Sequence, residues 1–336
     1  MMKLLYALFL IVLFDSCEKD LFVDKTNDPE YIFDTFWHEL DRNYSFFTYS
    51  QLNWDSVYSV YKPIITTNTS NESLFQIFTS ITDLLHDAHT NVYTPMGVTG
   101  NINYFDQYPV NQITLKDSYF ETYDATNRIF EYGKIKTSNI GYIKIKTFDG
   151  DNKSFEQIDS ILTNLKMTNG LIIDVRSNRG GKISNSQIVA SRFADSLRIA
   201  CKYRVRNGPQ HNDFTAWLNV YVSPAKNLIY KHKPIAVLTN RTSYSATEWF
   251  VLFADVLPNV TIVGDTTGGG SAMPIVRELS NGWLLRTSNS QTLTPSGRDF
   301  QFTGLYPDVP IWIKPEDSFK EVDSIFEKAI TILSNF

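Results

Sequence analysis

Cysteine is nearly absent from this chain: two residues, Cys17 and Cys201, in a sequence of 336. That excludes a disulfide framework of the kind that staples small secreted domains. Histidine is also sparse, with five residues at 38, 86, 89, 211 and 232. His86-x-x-His89 has the spacing of half a metal site, but no further His/Cys/Glu cluster completes it, so a metal is not expected. No long basic run exists and the net charge is −5, which argues against nucleic-acid binding. Apolar runs long enough to span a bilayer are missing; the longest, Leu4 to Phe14, has 11 residues. Lysine does not occur between Lys233 and Lys314. Internal repeats and low-complexity segments are lacking as well.

What is present is a well-filled core composition, 43% hydrophobic and 14% aromatic, in a chain long enough for two domains. Lys3, the apolar run after it and Ser16-Cys17 have the layout of a secretory signal. Cys17 directly after that run resembles the lipobox cysteine of bacterial lipoproteins, although Phe14-Asp15-Ser16 replaces the usual residues. An ordinary signal peptide containing a cysteine is the plainer alternative. The lipoprotein reading takes 1–16 as signal peptide, Cys17 as the lipidation site and 17–29 as a polar tether. It expects a protein anchored by lipid to a membrane of the bacterial cell envelope. It leaves Cys201 as a small core residue; a Cys17–Cys201 disulfide is the alternative.

Residues 30–91 read as helices. Phe33, Phe36, Trp37 and Leu40 recur at helical spacing, as do Val57, Val60 and Tyr61 ahead of Pro63. Leu74, Ile77, Phe78, Ile81, Leu84 and Leu85 form a third set, with Ser70 placed to cap it. Residues 92–336 read as an α/β layered core. Strands are expected at 140–145, 170–175, 199–205, 234–238 and 260–264. Helices are expected near 154–167, 184–194, after Ser245, and from about 318 to 333. Residues 93–132 are expected to form loops and a hairpin.

Three loops carry chemistry-bearing residues. Thr242-Ser243-Tyr244-Ser245-Ala246-Thr247-Glu248 lies between an apolar strand and a helix. Amides at a helix start favour negative charge, including the oxyanion of acyl transfer. Ser245-x-x-Glu248 also fits a capping box, which does no chemistry. Asp174-Val175-Arg176-Ser177-Asn178-Arg179-Gly180-Gly181 ends a strand with paired glycines, which permit positive φ and close backbone approach; an ordinary Gly-Gly turn reads the same way. Arg176 is placed either to bind a substrate carboxylate or to tie the loop to Asp174, and Lys182 reads as a solvated helix start. His86-Asp87-Ala88-His89-Thr90 offers the base that a serine nucleophile needs. Trp283 and Tyr306 read as core aromatics or as cleft lining.

These motifs, in this order and with Val263-Gly264-Asp265-Thr266-Thr267-Gly268-Gly269 and Gly304-Leu305-Tyr306-Pro307-Asp308-Val309, resemble the tail-specific, or C-terminal-processing, serine peptidases of the tricorn-core-like branch. The resemblance spans residues 85 to 309. It implies a ClpP/crotonase-like layered core, a peptide or protein substrate, and neither a metal nor an organic cofactor. It implies Ser245 as nucleophile, with Ser243 the weaker choice, and His89 as general base. The oxyanion hole would be formed by the amides of Ala246 and of Gly180 or Gly181. Many members of that family use a lysine base in a Gly-Lys-Gly setting; here the segment is Gly268-Gly269-Gly270-Ser271, so the proton-accepting role falls to His89. An orienting group near the closing motif is implied too, with Ser243, Asp299 and Gln301, or Asp308, as the residues to examine. About 50 residues separate Thr90 from Ile140, the lower limit for an independent domain, so no PDZ module is expected. The competing reading is a non-catalytic ligand-binding lipoprotein on the same scaffold. An acyl-CoA enzyme of similar architecture has no sequence feature of its own here.

Overall fold

The computed structural model describes residues 26–336 apart from 51, 102, 116–118, 227, 229, 231 and 321. Cys17, the expected signal peptide and most of the expected tether lie outside the described residues.

Three helices open the described chain: α1 (Pro29–Asn43), α2 (Trp54–Tyr61) and α3 (Asn71–Leu84). Each begins at a side-chain cap that satisfies a free backbone donor. Asp28 accepts from the Glu30 N–H at 3.0 Å, Asn53 from Ser56 at 3.0 Å and Ser70 from Ser73 at 3.2 Å. Helix α2 stops at Tyr61 and a 3₁₀ turn carries Lys62–Ile64 through Pro63. The aromatic stripe expected of these helices is core: Phe36 stacks on Phe78 with centroids 4.0 Å apart, and Trp37 on Trp54 at 5.8 Å.

The main sheet holds β3 (Phe120–Asp124), β4 (Phe130–Ile135), β5 (Ile140–Ile145), β6 (Gly170–Asp174), β9 (Ile235–Thr239), β10 (Val260–Gly264) and β14 (Val309–Pro310). Its order is β14-β10-β9-β6-β5-β4-β3. From β5 to β14 the pairings are parallel, while β3 and β4 run antiparallel. Every residue of β6 and β9 is buried, as a parallel sheet covered on both faces requires. One face is covered by a cluster that includes α5 (Ile158–Asn164), α6 (Ile183–Ala190) and α7 (Ala246–Asp255), with the short α4 (Asn152–Phe155) ahead of them. The other face is covered by α9 (Ser324–Leu333). Cys201 is fully buried in β7 (Arg198–Val205), where burial pushes its thiol up to about 12.

A second sheet, β11-β12-β1-β2, pairs β1 (Asn91–Thr94) and β2 (Gly97–Val98) with β11 (Pro274–Glu278) and β12 (Leu284–Ser288). A third, β13-β7-β8, joins β13 (Ser290–Leu293) and β8 (Leu218–Val222) to β7. The second sheet changes how the helical region relates to the rest. Trp283 and Leu285 pack in the same core as α1–α3. The break at residue 91 is therefore a change of element type across a shared core.

The end of the chain departs from the single helix expected over 318–333. It forms α8 (Pro315–Phe319) and α9, separated at Asp323. Asp323 caps α9 by accepting from Phe326 N–H at 3.1 Å, and it also binds Arg176. Both contacts hold it in a cap conformation, so the helix restarts there.

Candidate active site

Strands β6 and β9 are parallel neighbours, so the loops after them emerge side by side at the carboxyl end of the sheet, where ligand sites of open α/β sheets form. One loop holds Gly180 and Gly181, the other Ser245. Two bonds lash them together: Ser243 Oγ donates to Val175 O at 2.9 Å, and Tyr244 N–H donates to Asn178 O at 3.1 Å.

Ser245 stands at the N-terminus of α7 with φ 60° and ψ −123°. A non-glycine residue rarely adopts a positive φ, and such strain costs about 1–3 kcal/mol. The residues from Asn240 to Ser245 connect β9 to α7, and Ser245 is the last before the helix. Ser245 is partly exposed while Tyr244 and Ala246 on either side are buried.

Glu248 holds this connection. Its buried carboxylate accepts from the Ser245 N–H at 3.0 Å, Thr267 Oγ1 at 2.6 Å, Gly269 N–H at 2.8 Å and Gly270 N–H at 2.7 Å. Burial pushes the carboxyl up to about 7, against four hydrogen bonds that favour the charged form. The sequence signals only the local half of this through Ser-x-x-Glu; the three other donors come from the loop after β10.

The two glycines differ. A Cβ on Gly180 would lie 2.8 Å from Tyr244 O, 2.9 Å from Ala246 N and 2.9 Å from the Ser245 Cβ. The Gly180 N–H donates to Asn178 Oδ1 at 2.9 Å. Gly181 is exposed, and among the described residues neither its N–H nor that of Ala246 has an acceptor. Those two amides are unpaired, whereas the Gly180 amide is taken.

His89 is 2% exposed. Asp87, fully buried, fixes its loop by accepting from His89 N–H at 2.9 Å, Thr90 Oγ1 at 3.0 Å and Ser288 Oγ at 2.6 Å. Asp87 was only part of a motif in sequence, because Ser288 reaches it from β12. The His89 ring lies 4.7 Å from the Tyr244 ring, centroid to centroid. Neither ring nitrogen has a hydrogen-bond partner among the described residues, so the structure holds no Ser245–His89 bond. Desolvation, then the charge of Arg286, holds the imidazole well below its usual range and therefore neutral at pH 7.

The residues expected to orient the base are engaged elsewhere. Ser243 is the clamp described above, and it also accepts from Asn240 N–H at 3.1 Å. Asp299 accepts from the Tyr49 hydroxyl and from Gln301 N–H at 2.8 Å. Gln301 Oε1 accepts from Ser271 N–H and Oγ, both at 2.8 Å. Asp308 accepts from Ile262 N–H at 2.8 Å. Arg176 is unavailable to substrate: it is buried between Asp174 and Asp323, each 2.7 Å away. Lys182 is exposed and Trp283 is core, while Tyr306 is exposed beneath Arg298.

The segment Tyr104–Tyr108 lies over the site. Tyr104 Oη donates to Gly268 O at 2.9 Å, Phe105 packs edge-on to Tyr244 at 5.1 Å, and Arg179 covers Phe105 at 4.8 Å. A cleft of about 690 Å³ opens beside this segment, lined in part by Phe75, Val98, Tyr104, Tyr108 and Phe302. No helix among the described residues is long and apolar enough to cross a membrane.

Comparison with known proteins agrees with this architecture. The Peptidase family S41 profile matches residues 139–311, and that of the tricorn protease C1 domain matches 25–82. A structure from Parabacteroides merdae ATCC 43184, of a protein named provisionally as a peptidase, is 33% identical with a TM-score of 0.81, covering 91% of this chain and 97% of its own. The carboxy-terminal processing protease CtpA of Bacillus subtilis is 26% identical over 53% of this chain and 36% of its own length. The chain thus spans about a third of the length of the curated relatives it matches. A lipoprotein structure from Streptococcus agalactiae shares the fold at 19% identity, with a TM-score of 0.58 over 89% of this chain and 97% of its own.

Proposed function

The chain belongs to peptidase family S41, and from that premise we propose that it hydrolyses peptide bonds, with Ser245 as nucleophile and His89 as general base. The observation that carries the reading is the strained backbone of Ser245, φ 60° at the start of α7, beside two amides with no acceptor. Ser245 Oγ attacks the scissile carbonyl and its proton passes to His89. The oxyanion is held by the N–H groups of Ala246 and Gly181, a contribution of about 3–4 kcal/mol for a single such donor. The intermediate collapses, and His89 returns the proton to the departing amine. Water, deprotonated by His89, then releases the acyl group from Ser245. Because His89 and Ser245 are not bonded in the free protein, substrate binding brings them into reach, as catalytic hydrogen bonds often tighten only in the complex.

The substrates are peptides or unfolded polypeptides of the bacterial cell envelope, and the enzyme is tethered there through lipid at Cys17. Support for the tether is the apolar run ending just before Cys17. A second reading, a ligand-binding lipoprotein without catalysis, is favoured by the two unpartnered nitrogens of His89. The test is incubation of the full chain with a reduced, carboxymethylated protein, read by mass spectrometry. Cleavage by the native chain and none by Ser245→Ala is expected. Equal cleavage by Ser245→Ala removes Ser245 from the mechanism; no cleavage by the folded native chain favours the binding reading.

A further inference from the structure

Two glycines near the site have no conformational reason to be glycine. Gly268 and Gly270 lack the positive φ that marks Gly269 between them, so an L-residue fits their backbone. What they lack is room. A Cβ at residue 270 would lie 2.2 Å from Tyr244 Cζ, 2.4 Å from Cε2 and 2.7 Å from Cε1. A Cβ at residue 268 would lie 2.7 Å from both Arg241 O and Tyr244 Cδ2. Real Cβ atoms do not approach a ring that closely, and the ring cannot give way: it is 4% exposed and meets His89, Phe105 and Tyr104 at centroid distances of 4.7, 5.1 and 5.7 Å.

The collision happens beside the nucleophile. The Gly270 N–H and the Ser245 N–H donate to the same oxygen, Glu248 Oε2, at 2.7 and 3.0 Å. A side chain at residue 270 would therefore leave the backbone next to Ser245 and run into the Tyr244 ring. The same ring contacts the imidazole of His89.

We infer that Tyr244 is the positioning residue for the base. Its ring fills the space a side chain from residue 270 would enter, and it seats the His89 imidazole. This rests on the peptidase reading of Ser245 and His89.

The test is a cycle in the full chain: Gly270→Ala, Tyr244→Ala and both together. Gly270→Ala is expected to lower the Tm, and the double variant to melt no lower than Tyr244→Ala alone. Losses that simply add, or a harmless Gly270→Ala, overturn the packing claim. This arm needs no activity, so its outcome is separate from the fate of the peptidase reading. If native Ser245 takes no adduct from a fluorophosphonate, the peptidase reading fails instead.

The second arm follows the rate of that adduct against pH. The groups facing His89 are Asp87 of its own loop, Arg286 of β12 and Tyr244; Tyr104 and Glu248 face Tyr244 in turn. Neutral imidazole is the active form, so labelling falls only on the acid side. Desolvation holds His89 low, so the native limb lies below pH 6.5. Tyr244→Ala admits water and moves the limb up toward 6.5, while Tyr244→Phe, which keeps the ring, leaves it in place. A limb that stays put in Tyr244→Ala overturns the positioning role.

Discussion

Gly180 presses on Ser245. A Cβ at residue 180 would come within 2.9 Å of the Ser245 Cβ and of the Ala246 nitrogen. Gly180 also has a φ of 99°, which L side chains rarely adopt. The glycine is required both by its own backbone and by the connection it abuts, so the loop after β6 sets where the nucleophile stands.

Gly180→Ala is predicted to displace Ser245. A shift of about 1 Å at a reacting atom can cost roughly 100-fold in rate. The expected result is a loss of that order in fluorophosphonate labelling, with the variant still folded by circular dichroism. Native labelling in the variant contradicts the contact.

Glu248→Gln is predicted to loosen the connection from β9 to α7. An amide places an NH₂ where a carboxylate oxygen now accepts two donors, so two hydrogen bonds are lost, each worth about 1.5–3 kcal/mol. The pH dependence has a definite sign. The folded-state pKa of Glu248 is raised from 4.5 to about 7. Its contribution is therefore present in full below 4.5 and is lost as pH rises through about 7. Urea denaturation should show the gap between native and variant narrowing from pH 5 to pH 8. A gap that widens contradicts the assignment.

Arg176 faces two buried carboxylates, Asp174 and Asp323. Arg176→Met leaves both uncompensated and is predicted to cost about 3–5 kcal/mol. Asp323→Asn leaves a one-to-one pair and keeps a residue able to cap α9, so it should cost less. Denaturation of the two variants decides the order; the reverse order contradicts the ion triad.

The parts legible in the sequence share a physical cause. Strands β5, β6, β9 and β10 stood out as apolar runs because a parallel sheet covered on both faces buries β6 and β9 throughout and most of β5 and β10. Ser245 stood out at a strand-to-helix junction. Strand β11 did not, because Val276, Arg277 and Glu278 are exposed; β12 did not, because its burial alternates over Leu-Leu-Arg-Thr, in which apolar residues do not. The role of Glu248 beyond a cap was hidden because Thr267, Gly269 and Gly270 approach it through the tertiary fold. The contact of Tyr244 with Gly270 was hidden for the same reason: periodicity reports one element's face and is silent on what meets it. Asp323 read as one residue inside a continuous helix, since its partner Arg176 is distant in the chain.

Reaction of the full chain with a fluorophosphonate, mapped by peptide mass spectrometry, decides whether Ser245 is an activated nucleophile. The prediction is one adduct, on Ser245, absent from His89→Ala at neutral pH. A folded protein that takes no adduct, or takes it on another serine, contradicts it.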